Sequence, residues 1–175
     1  MKKTVFIIAS CFIVFVAYSQ PVDTTTNRSP VKTLTYTQYN ALINGEDIYG
    51  MSLAAELNHY PDPEKVIKFK RQLDLSPIQV NKLNAINKEL HRKKVEMGWI
   101  IIRNERTLDS IFKYHRLDNG SLIFYANRYG LYQGELRNAI LQACLTTWGL
   151  LTPQQISRFE AMQKASPRPS SKEKE

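Results

Sequence analysis

Histidine and cysteine are scarce in this 175-residue chain, three of one and two of the other. A tight transition-metal site needs three or four converging His, Cys, Asp or Glu ligands. His91 and His115 lie in one helical stretch, roughly 36 Å apart at ~1.5 Å of rise per residue, and cannot share an ion. His59 stands alone beside a proline turn, so no metal ligand and no cofactor is expected. The chain also lacks a Gly-rich phosphate loop and a G-x-S-x-G elbow. Ser52, Ser110 and Cys144 have no histidine and acid at a triad-like spacing, so an enzyme is not expected. No stretch alternates polar and apolar residues for long, which excludes a sheet. No apolar run reaches the ~20 residues of a spanning helix.

What the N-terminus does contain is an export address. Lys2 and Lys3 precede the apolar run 4–16, and Ala17-Tyr18-Ser19 places small residues before Gln20. This predicts a signal peptide over 1–19, cleaved after Ser19, and a periplasmic location. A lipobox reading of Ile8-Ala9-Ser10-Cys11 would leave a lipidated Cys11. The apolar run continues past that cysteine, which argues against it. With Cys11 removed, Cys144 is the single cysteine, either a small apolar helix residue or half of an intermolecular disulfide.

Charge is uneven. The net charge is +8, and residues 60–116 hold 13 Lys or Arg against 7 Asp or Glu. Such a face meets acidic unfolded chains, anionic lipid or lipopolysaccharide, or is simply a solvated helix surface. Nucleic acid is not an expected partner in that compartment. Residues 20–41 read as a flexible segment, 42–164 as one folded domain and 165–175 as a disordered tail. A short helix over 35–44 ends at Gly45, another short helix or turn covers 50–58, and 64–73 forms a third. The longest helix starts after Ser76, with Leu83, Ile86, Leu90, Met97, Ile101, Leu108 and Phe112 on one stripe. Asp118-Asn119-Gly120 is read as its stop, and the next helix as 121–148, ended by Gly149. A last helix covers 153–164. The expected fold is all-α: a long antiparallel helical hairpin with shorter flanking helices.

One phrase occurs twice. Leu75-Ser76-Pro77-Ile78-Gln79 and Leu151-Thr152-Pro153-Gln154-Gln155 each open an amphipathic segment. Ser76 and Thr152 are N-cap residues, Pro77 and Pro153 occupy the first helical position, and Gln79 and Gln155 complete capping boxes.

These phrases resemble the LTxxQ motif of bacterial envelope proteins, the family of the Spy and CpxP periplasmic chaperones. The stretch from Gly50-Met51-Ser52-Leu53 through Glu56-Leu57-Asn58-His59-Tyr60-Pro61-Asp62-Pro63 is similar to the "GmGlA-x-AELNgYPGP" lead-in of a secreted subfamily. Gly134-Glu135-Leu136-Arg137 matches a segment of its third long helix. The resemblance covers roughly residues 42–163. It implies a Spy/CpxP-like hairpin, often dimeric, acting as a refolding chaperone, stress regulator or metal-resistance protein. Metal-linked relatives carry a His-Leu-x-x-x-His-like pair after that Leu-Arg. Here the region reads Ile140-Leu141-Gln142-Ala143-Cys144 and retains at most Cys144 as a ligand.

The candidate client-binding residues are Arg92, Lys93, Lys94, Met97, Trp99, Ile100, Ile102, Arg103 and Arg106. Met97-Gly98-Trp99-Ile100-Ile101-Ile102 is apolar around the whole helix, more than one neighbouring helix covers. A dimer seam or core is one reading and contact with unfolded clients the other. The expected function is ATP-independent, chaperone-like binding of partly unfolded envelope proteins by a homodimer. The alternatives are a metal-responsive protein of the same fold and an adaptor for a membrane stress sensor.

Overall fold

The computed structural model describes residues 28–165, which form six helices and, among the described residues, no strand. The expected signal peptide, the Cys11 lipobox and the tail beyond residue 165 lie outside the described residues. In order the helices are α1 Tyr36–Asn44, α2 Leu53–Leu57, α3 Pro63–Lys68, α4 Pro77–Lys113, α5 Asn119–Leu150 and α6 Pro153–Ala165.

Helices α4 and α5 run antiparallel. Asn104 Nδ2 donates to the Tyr125 carbonyl at 3.0 Å near one end, and Gln79 Nε2 to the Leu150 carbonyl at 3.1 Å at the other. At ~1.5 Å per residue, α4 is roughly 55 Å long. Two boundaries of the long pair differ from expectation. Asp118 does not stop α4; it caps α5, its carboxylate accepting the Ser121 amide at 2.6 Å, so Gly120 lies in the first turn of α5. Gly149 lies within α5, which ends at Leu150.

Four helical segments close with the same backbone device. Glu46, Tyr60, Leu75 and Arg116 each donate to the carbonyl five residues back, at 2.8–3.0 Å. The residue just before each donor, Gly45, His59, Asp74 or His115, has φ between 51° and 66°. This is the Schellman closure, in which the left-handed position satisfies a terminal carbonyl. Helix α3 ends at Lys68, short of the single helix expected over 64–73, and the chain continues as turns to Asp74, where this closure ends them.

The two repeated phrases meet at the base of the long pair. Ser76 and Thr152 each accept the amide of their glutamine at 3.2 Å, and each glutamine accepts the cap amide in return, at 3.0 and 2.9 Å. The glutamine side chains then bond to each other. Below them, Val66, Leu73, Leu83, Leu151 and Phe159 form a basal core, with Phe69 edge-on to Phe159.

A second core fills the middle of the rod. Leu90, Ile101 and Ile102 of α4 and Leu136, Ile140 and Ala143 of α5 pack with Val31, Leu34 and Leu42. Val31 and Leu34 fall in the segment expected to be flexible, yet both are buried. Helix α1 crosses α4 where Gly98 has no side chain. A Cβ there would lie 2.1 Å from the Leu42 carbonyl oxygen. Beyond Asn104 the pair continues alone, and no residue from Glu105 to Glu135 is buried.

Candidate functional site

Helical spacing sorts the nine candidate residues onto three faces of α4. Arg92, Trp99, Arg103 and Arg106 share the outer face, and all four are exposed. Trp99 leaves 43% of its surface to solvent. Lys93, Met97 and Ile100 form the adjoining stripe. Lys94 and Ile102 lie on the opposite flank toward α1, where a Cβ on Gly45 would touch Lys94 at 3.0 Å. Ile102 is fully buried, which removes it from any binding surface. The apolar girth of 97–102 is therefore covered on two sides, by α5 at Ile101 and by the 31–42 segment at Gly98 and Ile102. Trp99 and Ile100 hold what is left of the surplus.

Beside that stripe, α4 and α5 leave a groove of about 480 Å³. Its floor is apolar: Ala85, Ile86, Leu90 and Met97 from α4, Ala139 and Ala143 from α5. Small residues at 139 and 143, one turn apart, hold α5 low enough to open it. The walls carry Glu89, Lys93, Glu96 and Glu135, with Asn138, Gln142 and Thr146.

Although residues 60–116 are net basic, this groove is not. Three carboxylates and one lysine line it. Arg92 is clamped between Glu89 and Glu96 at 2.8 and 2.9 Å. The Arg92 hydrogen bond holds the Glu89 carboxyl below its ordinary range. Arg103 and Arg106 lie farther along the outer face. The site is thus an apolar strip walled by both signs. The α5 wall was missed in the sequence because Glu135, Asn138 and Gln142 read as ordinary solvated helix positions. The spacing of the two alanines was the available signal.

A second recess forms where the lead-in stretch meets the 134–137 segment of α5. Gly50, Met51, Leu53, Ala54 and Leu57 face Tyr129, Gln133, Gly134 and Arg137. Asp47 organises the approach, accepting the amides of Tyr49, Met51 and Ser52 at 3.0–3.2 Å. Glu56 accepts Ser52 Oγ at 3.0 Å and pairs with Lys65 at 2.8 Å, and Asn58 Nδ2 donates to the Ala54 carbonyl at 2.8 Å. These contacts are all local structure.

Among the described residues, no three His, Cys, Asp or Glu side chains come together as a metal site would need. Cys144 is fully buried, and desolvation, with Asp62 and Glu56 adding, pushes its thiol up to about 11. A thiol so placed is out of reach of a second chain. No described helix is long and apolar enough to cross a membrane. In comparisons with known proteins, no family model, curated protein or solved structure matches the chain.

Proposed function

We propose that this protein is an ATP-independent, chaperone-like binder of partly unfolded chains in the bacterial periplasm, with a Spy/CpxP-like helical hairpin. The observation that carries the reading is an apolar groove between α4 and α5, with half-buried Ile100 on the stripe that borders it and exposed Trp99 on the next face of α4. A folded protein rarely leaves both a tryptophan and a groove of aliphatic floor open to water. Partly unfolded chains expose apolar side chains scattered among charges of both signs. A strip with an apolar floor and mixed walls takes such sequences without selecting one. Met97 adds a flexible side chain that adapts to different shapes. The export signal expected over residues 1–19 and the paired LTxxQ-like phrases support this reading and its compartment.

Aggregation of a reduced client, followed by light scattering with the purified protein in metal-free buffer, tests it. Suppression at near-stoichiometric amounts supports the reading. Unchanged scattering at several-fold excess removes it.

A further inference from the structure

The far end of the hairpin carries a separate feature. Phe112 and Tyr114 at the close of α4, and Leu122, Ile123 and Phe124 at the start of α5, are all exposed, Ile123 at 60%. Three consecutive apolar residues point in three directions around a helix, and α4 can cover one of them. No residue from Glu105 to Glu135 is buried, so the tip belongs to neither core. Cations ring it. Lys113 and Arg116 lie 5.2 and 5.8 Å from the Tyr114 ring, and Arg128 lies 4.9 Å from that of Phe124. Between residues 110 and 128 the only acid is Asp118, whose carboxylate is engaged by the Ser121 amide.

We infer that this tip docks onto an anionic lipid surface, with Phe112, Ile123 and Phe124 entering the headgroup layer and Lys113 and Arg116 meeting lipid phosphates. Shape and charge select this occupant. The tip is a convex knob at the end of a rod, whereas peptides and helices are received by grooves. A second copy would bring the same cations against it. Aromatic and aliphatic side chains at the level of the headgroups, with basic residues beside them, are the chemistry of interfacial anchoring. The docking would hold the groove away from the bilayer, and it does not depend on what the groove binds.

The test uses the full-length chain carrying Phe124→Trp, with vesicles of phosphatidylglycerol and phosphatidylethanolamine or of phosphatidylcholine alone. The fluorescence of the wild-type protein, from Trp99 and Trp148, is subtracted, so the signal reports the tip and not the N-terminal apolar run. The expected result is a blue-shifted tip tryptophan, quenched by brominated acyl chains, on the anionic vesicles only. Lys113→Glu with Arg116→Glu should reduce that binding at least tenfold. A tip tryptophan that keeps its solvent emission while the protein is vesicle-bound overturns the inference. So does a shift that follows protein concentration without lipid, which would assign the tip to a second copy. A shift produced only by a reduced, unfolded client would overturn it as well.

Discussion

The side-chain amides of Gln79 and Gln155 face each other across the base of the long pair and bond reciprocally, at 2.8 and 3.2 Å. Each also serves its own capping box. Gln79 donates to the Leu150 carbonyl at 3.1 Å, and Gln155 reaches its counterpart, Asp74, at 3.4 Å. Two helix starts, far apart in sequence, are thereby fixed against each other by one pseudo-symmetric joint.

Removing either amide breaks the reciprocal pair and opens one capping box. Gln155→Ala should cost about 1–3 kcal/mol in urea unfolding, because Gln155 is buried and the Thr152 amide that it accepts would lose its partner. Gln79→Ala should cost less, since Gln79 is only half-buried. The double variant should fall short of the sum of the singles by at least about 0.5 kcal/mol. Strict additivity would show that the two caps act independently.

Glycine substitutions separate contact from propensity. Gly98→Ala gains about 1 kcal/mol of helix propensity, yet its methyl would meet the Leu42 carbonyl at 2.1 Å. Net destabilisation of about 1–3 kcal/mol is expected, with weakened docking of the N-terminal segment visible in hydrogen exchange. Gly130→Ala meets nothing within 4 Å and should stabilise α5 by up to about 1 kcal/mol. Thermal midpoints moving the same way in both variants would contradict the packing of α1 on α4.

Acid should loosen the distal turn first. The Ser121 amide holds the Asp118 carboxyl below its ordinary value. A depressed carboxyl stabilises the fold above its unfolded pKa and loses that contribution as pH falls through the folded one. Amide exchange over 118–124 should therefore accelerate as pH drops below about 4, after correction for intrinsic rates. Asp118→Asn keeps a capping side chain and should abolish this dependence.

How much of this was legible in the chain depended on which signal each residue carried. The repeated Ser/Thr-Pro-x-Gln phrases located two helix starts, since each box closes within four residues. Their meeting was not legible, because hydrogen bonds between Gln79 and Gln155 are a property of the fold. Helix ends were harder. Gly45 announced its closure, whereas His59, Asp74 and His115 adopt the same left-handed conformation without glycine's signature. Asp118 was misread because an Asp-Asn-Gly run suits a turn as well as an N-cap. In the candidate site, the surplus of apolar residues at 97–102 was visible. The burial of Ile102 was not, because Val31, Leu34 and α1 cover that side from a segment whose composition reads as flexible. The mixed charge of the groove escaped for a similar reason, since Glu135 comes from the other helix.

Binding of an unfolded chain at the Trp99 face is the claim to test most directly. Fluorescence anisotropy of labelled, reduced and carboxymethylated α-lactalbumin would be titrated with the wild-type protein and with Trp99→Ser. Trp99 is 43% exposed, so its replacement should leave the fold intact by circular dichroism. The account predicts saturable binding of the unfolded client, none of native lactalbumin, and a loss of at least about tenfold in affinity for the variant. Equal affinity for wild type and variant, or no binding of the unfolded client, would contradict it.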